Sequence, residues 1–406
     1  MEQVKRNKIG YFEAALFFYI LSIEIFSYRA GFVFITYGLF ALALLLSLPK
    51  SHGKLTASIL FKYMFILLLA FGLSAVTSTY FSVSVRRWLT MFLMFLTCLA
   101  IEIGFRYSSA DDFFEFFSNA IIYSCVLAFF YDFITIGPST YLRYIVQGSR
   151  LTAVASQTNV MGVYGAIALN IMFFEAFFNK RKKVLPLMVF PLLMILASQS
   201  KKAILCVLVG ILIMLALHYR KKKFSGVIVL LIAFFLFMYL TRLPIFESIL
   251  YRFTSAFETA STGSTKITDW STYNRMIMIQ KGIELFKERP LIGHGIDTYQ
   301  FISGFGVYSH NNYIELLANN GLIGTIAYYW VYLYAAVVLG RLVFRRNDEK
   351  SILLLVIIIA TLLLDYGEVS YYNKMTYVYI AWVLVYFVKR NNELFVTHEK
   401  ESKVRG

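Results

Sequence analysis

Charge is the scarcest ingredient of this 406-residue chain: Asp, Glu, Lys and Arg together make up 15% of it, where a soluble domain carries about 25%. Cysteine is nearly absent. The three present, Cys98, Cys125 and Cys206, all lie inside apolar runs without metal-ligand or disulfide-framework spacing, which excludes a secreted disulfide scaffold. No GxxxxGK[ST] phosphate loop, HExxH zinc motif, GxGxxG turn or DxD pair occurs, so the chemistry is expected to run without cofactor: no ATP, no NAD, no tightly bound metal. No internal repeat divides the chain into two similar halves, and no stretch reads as a second, soluble domain.

What the chain has in excess is apolar and aromatic residues, 59% and 18% of the total, with a mean hydropathy of +0.66. They run in blocks of about 15–25 residues, the length that crosses hydrocarbon as a helix. A soluble enzyme and a disordered protein are both excluded. The fold expected is all-α, a polytopic helical membrane protein forming a single domain over 1–406. The net charge of +16 does not require nucleic acid, because the cations sit mostly in short loops between apolar runs, where cytoplasmic anchoring accounts for them.

Twelve spans are predicted, at about 11–28, 31–48, 57–77, 88–105, 113–136, 158–178, 185–199, 203–219, 224–240, 311–340, 351–365 and 375–388. Basic residues precede the first, but no small-residue cleavage site follows it, so it reads as an uncleaved span. The termini and alternate connections hold 23 Lys and Arg, against eight in the short connections of the other set. Both termini are therefore expected in the cytoplasm. The long segment 241–310 then faces outward, between the ninth and tenth spans. Within it, 273–289 reads as an amphipathic helix along the outer membrane surface, with Thr272 as N-cap and Met276, Ile279, Ile283 and Phe286 as its apolar stripe. Pro290, Gly293 and Gly295 end it. Thr259-Ala-Ser-Thr-Gly-Ser-Thr before it reads as a loop.

The residues of interest are cations on the outer side. Lys201 and Lys202 follow a span of fifteen residues, which at about 1.5 Å each reaches only ~22 Å of a hydrocarbon layer about 30 Å thick. Charge at that depth implies an anionic ligand or a partner carboxylate, with snorkelling to the headgroups as the plainer alternative. Arg150 sits in a polar, turn-rich outer loop, and Arg275 at the start of the amphipathic helix. Arg86 and Arg87, just before Trp88, read as an interfacial anchor. From Ser309 onward, Asn311, Glu315 and Asn319 form a polar stripe at i, i+4 and i+8 of an otherwise apolar helix, beside His310, Leu317, Gly321 and Gly324 on a second stripe. Asn311, Asn312, Glu315 and His310 at the mouth of a span suit a hydroxyl-rich ligand. The glycines would admit a neighbouring helix.

In these residues the chain resembles the O-antigen ligase / O-antigen polymerase superfamily of bacterial envelope glycan enzymes. His310, ten residues and Gly321 match that family's HX10G pattern, in the setting HNNYIELLANNGLIG. YNRMIMIQKGIELF followed by PLIGHG matches the helix and glycine turn before it. Arg150 resembles the arginine of the earlier outer loop, although eleven residues rather than ten separate it from Gly162. Ser198-Gln-Ser-Lys-Lys-Ala resembles a Ser-x-Ser-Arg-Ala segment with lysine in place of arginine, and lysine meets phosphate as a point charge, not as a bidentate fork.

The resemblance implies a type C glycosyltransferase-like fold in the bacterial inner membrane. It implies a glycan donor carried on undecaprenyl diphosphate, transferred without metal to an acceptor glycan outside the membrane, with inversion. Arg150, Arg275 and Lys202, with Lys201 as the alternative lysine, would stabilise the leaving diphosphate. His310 would receive the acceptor proton, with Glu315 orienting His310 or binding sugar together with Asn311 and Asn312. Repeat-unit polymerisation for O-antigen or capsule is the leading expectation, with a chain-length regulator as a further partner. Ligation of finished glycan to lipid A core is the nearest alternative. A lipid-linked glycan transporter is a third, although transporters commonly show repeats and midplane sites. A scaffold would leave His310, Glu315 and the lysines without a purpose.

Overall fold

The computed structural model describes residues 10–26, 32–51, 58–149, 151, 158–221, 254–255, 257–258, 260–261 and 269–405. The expected span 224–240, Arg150 and most of the expected loop 259–265 lie outside the described residues.

The described elements are all helical. In chain order the α-helices are α1 (Tyr11–Phe26), α2 (Val33–Ser47), α3 (Ile59–Val76), α4 (Phe81–Gly104), α5 (Ala110–Ile136), α6 (Pro138–Val146), α7 (Thr158–Phe177), α8 (Val189–Ser198), α9 (Lys201–His218), α10 (Trp270–Glu288), α11 (Tyr299–Ile302), α12 (Asn312–Arg341), α13 (Lys350–Asp365) and α14 (Lys374–Arg405). Among the described residues, seven helical stretches are long and apolar enough to cross a membrane. The remaining expected spans among the described residues also coincide with helix, two of them with the short α8 and α13.

Polar side chains set the helix starts. Ser58, Ser109, Ser200 and Asn311 accept hydrogen bonds from backbone N–H groups in the first turns of α3, α5, α9 and α12, meeting donors that have no partner within the helix. Sequence neighbours pair as hairpins, α1 with α2, α3 with α4 and α7 with α8, while α9 packs on α13 and α12 on α3 and α13. Residues 375–386 of α14 are buried without interruption, which places this helix inside the bundle. Its Trp382, Tyr377 and Tyr386 belong to the main core with Tyr63, Phe71, Phe114 and Tyr328.

Two departures from regular helix shape the outer end. At the first, α8 stops at Gln199, whose backbone is left-handed (φ +51°), and the chain turns back into α9. Ser198, Gln199 and Ser200 are buried there, so the short span does end inside the protein. Gly162 of α7 lies against this turn, and a Cβ on it would run into the Ser198 hydroxyl.

The second departure lies within α12. Gly321 has φ +59° and ψ −163°, a region open in practice to glycine alone, and the helix breaks there. The chain at 290–295 enters the break and takes over the helix's hydrogen bonds. His294 N donates to Ala318 O (3.1 Å), Gly295 N to Asn319 O (2.8 Å), Leu322 N to Pro290 O (2.8 Å) and Ile323 N to Leu291 O (3.1 Å). A Cβ on Gly321 would meet the Leu291 carbonyl, and one on Gly293 the Asn319 carbonyl. The expectation that Gly321 and Gly324 admit a neighbouring helix is therefore corrected: Gly321 admits a loop, and the atoms nearest a Cβ on Gly324 belong to Asn320 of the same helix.

The outer helix α10 runs from Trp270 to Glu288 and is capped by Asp269, which accepts from Ser271 N (3.0 Å). Thr272, expected as the cap, instead donates its hydroxyl to Asp269 (2.9 Å), because Trp270, Ser271 and Thr272 extend the helix by nearly one turn. Its docked face also differs. Met278, Gly282 and Leu285 turn inward toward Tyr299, Ile314 and Ala318, while Ile283 of the expected stripe stays exposed. Met276, Ile279 and Phe286 of that stripe are half-buried.

Candidate active site at the outer helix ends

The turn between α8 and α9 places two lysines at a helix N-terminus, where backbone N–H groups already favour an anion. Lys201 Nζ lies 2.9 Å from Asp269 Oδ2, and Lys202 Nζ lies 2.8 Å from Glu368 Oε2. Lys202 also donates to the carbonyl of Gly367. A Cβ at Gly367 would stand 2.6 Å from the Lys202 side chain, so glycine is what lets the lysine lie along this backbone. The depth argument of the sequence is thus met by partner carboxylates. Burial pushes the Asp269 carboxyl up, but hydrogen bonds from Lys201 and Thr272 outweigh it and hold the group below its ordinary value.

Asp269 also caps α10, so the Lys201 pair fastens the start of the outer helix to the start of α9. Six residues further along α10 is Arg275. It is half-buried and makes no ion pair with a described residue.

His310 stands just before α12 with left-handed backbone (φ +56°), a conformation that histidine tolerates better than most residues. The segment is held from below. Glu315 accepts from Ser309 N (2.7 Å) and from Asn319 Nδ2 (3.2 Å), and the Ser309 hydroxyl bridges to the Asn311 backbone. Glu315 thus orients His310 through the preceding peptide and not through the ring. The Tyr308 and His310 rings lie 4.3 Å apart, and His310 Nδ1 is buried without a hydrogen-bond partner among the described residues. Burial lowers the imidazole pKa to about 4, helped by the nearby cations Arg275 and Lys202 and opposed by Glu368. The ring is neutral at envelope pH.

Asn312 and Asn311 were expected to meet sugar. Asn311 caps α12, its side chain accepting from Ile314 N at 3.2 Å. The Asn312 amide is buried and fully engaged: its Oδ1 accepts from Ser370 N (3.0 Å) and Tyr371 N (3.1 Å), and its Nδ2 donates to Tyr329 (2.8 Å) and Asp365 (3.1 Å). Its part is to clamp the α13–α14 loop beside His310. Arg87, expected as an interfacial anchor, instead pairs with Asp297 at 2.7 Å and lies over the Tyr372 ring at 4.2 Å, fixing the outer segment to α4. Arg150 lies outside the described residues. Its neighbour Leu151 donates to Ala197 O at 3.1 Å, beside the turn that carries the lysines.

Arg275, Lys202 and Glu368 act on His310, and Lys201 pairs with Asp269 one residue before Lys202; the sequence reading missed the carboxylates, Asp269 and Glu368. A signal for them did exist, since two lysines below the membrane surface call for acidic partners and the outer segments hold few. Among the described residues no group of three or more His, Cys, Asp or Glu side chains could hold a metal ion.

Seven membrane-length apolar helices among the described residues, with cations grouped about one histidine, define a polytopic integral membrane protein. Residues 186–329 match the family described as O-antigen ligase. That stretch contains the α8–α9 turn, α10, His310 and Gly321, and the match supports the O-antigen ligase/polymerase superfamily and a membrane function of that type. No curated protein matches the chain.

Proposed function

We propose that this protein is an inverting glycosyltransferase that polymerises oligosaccharide repeat units carried on undecaprenyl diphosphate at the outer face of the inner membrane. The observation that carries the reading is the placing of a neutral imidazole beside Arg275 and Lys202 at the N-terminus of α9. Breaking the anomeric C–O bond leaves negative charge on the lipid diphosphate, and fixed cations there lower the barrier. The leaving group is already attached to the donor, so no nucleotide is required. The acceptor hydroxyl attacks from the opposite face and gives its proton to His310. Arg150 and Lys201 are the further cations of the diphosphate site.

The charges around His310 tie its basicity to the donor. Before the donor binds, the charges of Arg275 and Lys202 add to burial in disfavouring an imidazolium. A diphosphate bound to them offsets that part of the shift, so the pKa rises above about 4, closer to what a general base needs, while burial still holds it below the ordinary value. The acid limb of kcat, which reports the donor complex, is therefore expected at higher pH than that of kcat/KM, which reports the free enzyme. Arg275→Gln removes one cation and should raise the kcat/KM limb. Loss of a charged hydrogen bond worth about 1.5–3 kcal/mol should raise the donor KM roughly 10- to 100-fold. Coincident limbs, unmoved by the substitution, would contradict this coupling.

Deleting the gene and separating envelope glycans on a gel tests the function itself. A polymerase leaves single repeat units on their final acceptor. Long glycan retained on the lipid carrier would identify a ligase and overturn the polymerase assignment.

A further inference from the structure

We infer that Glu368 is a positioning carboxylate of the transfer reaction, which holds Lys202 in the donor-free site and pairs with His310 once the donor diphosphate takes the lysine. The inference rests on the glycosyltransferase reading above. Glu368 stands 2.8 Å from Lys202, with 15% of its side chain exposed against 17% for the lysine, so an incoming anion can reach the pair. A second anion at Lys202 repels the carboxylate, which then needs another cation. Arg275, Lys202 and Glu368 are the charged groups acting on His310, and once the diphosphate occupies the first two, the imidazolium formed in the reaction is the cation left for Glu368.

The loop is built so that only the side chain has to turn. Asn312, two residues past His310, binds the N–H groups of Ser370 and Tyr371, and Asp365 at the loop's other end accepts from Asn312 and from the hydroxyl of Tyr329 (2.8 Å). Glu368 lies between these two anchors, so its backbone and that of His310 share one fixture. In the transfer step the acceptor O–H bond breaks and its proton goes to His310. The anomeric C–O bond to the diphosphate breaks with its electron pair leaving on the diphosphate oxygen, and the new glycosidic bond forms. Glu368 stays ionised throughout and stabilises the imidazolium, as a carboxylate does for histidine in hydrolytic triads.

The test uses the full-length protein in membranes with undecaprenyl-diphosphate-linked repeat unit extracted from the host. Glu368→Gln should lower kcat, by less than the roughly 100- to 10,000-fold that a general base itself contributes, and lower the donor KM, since Lys202 no longer has to be released. It should also move the acid limb of kcat to lower pH, because the imidazolium loses its anion. Glu368→Asp should restore part of kcat and of the limb. An unchanged kcat, or a raised KM with the limb in place, would mean that Glu368 only braces the loop, and the inference falls while the glycosyltransferase reading stands. If the wild-type protein releases no undecaprenyl diphosphate, that reading fails and the inference with it.

Discussion

Replacing His310 by alanine is expected to lower glycan transfer roughly 100- to 10,000-fold, the contribution of a positioned general base, with the protein still present in the membrane. The side chain lies beside the cations and its Nδ1 has no hydrogen-bond partner among the described residues. Its removal therefore breaks no described hydrogen bond of the ring, and the loss should fall on kcat. The left-handed backbone at φ +56° adds a cost of about 1–2 kcal/mol for alanine, so His310→Asn is the better control: asparagine tolerates this conformation but supplies no base. Comparable loss in both variants at matched protein level assigns the effect to the imidazole. Full activity in the asparagine variant would remove His310 from the chemistry.

Gly321→Ala is expected to be the most damaging single methyl in the chain. The conformation costs a non-glycine residue about 1–3 kcal/mol, and the added Cβ points at the Leu291 carbonyl, main chain that cannot rotate aside. Pushing 290–295 out of the break strands the N–H groups of Leu322 and Ile323 and the carbonyl of Ala318, while the Asn319 carbonyl keeps only the Ser74 hydroxyl, and each group left unpaired costs about 1–3 kcal/mol. Purified protein should show a large fall in Tm and in yield. Gly293→Ala meets the other side of the same joint, so the double variant should lose less than the sum of the two. Gly340→Ala, with open space around its Cβ position, should stay within about 0.5 kcal/mol of the parent. A Tm unchanged by Gly321→Ala would mean that the loop is not seated as described.

The spans were legible because apolar runs of membrane length carry their own signal. The cations were legible because they break the inside bias of Lys and Arg. Their carboxylates were not: Glu368, in a short connection near Asp365, resembles any interfacial acid until the fold brings it to Lys202. The sequence marked Gly321 as the end of a motif and a small residue on a helix. Its purpose depends on Leu291, thirty residues earlier, and no periodicity connects the two. Asn312 misled for a related reason. A carboxamide at the mouth of a span suggests sugar binding, yet here its four hydrogen bonds are taken by Ser370, Tyr371, Tyr329 and Asp365. On α10 the apolar residues run nearly all the way round, so two stripes fit the pattern and packing against Ile314 selects the one with Gly282.

The seam between 290–295 and the broken helix joins main chain to main chain through four hydrogen bonds. Such a seam is blind to side-chain identity except at its glycines: a Cβ on Gly293 or Gly321 meets main chain, and one on Gly295 meets Ser78 and Ser84. The surface of this segment can therefore change residue by residue while its attachment to the bundle stays the same. Surface character and anchorage are carried by separate chemical groups of one segment, so the one can vary without His310 losing its footing.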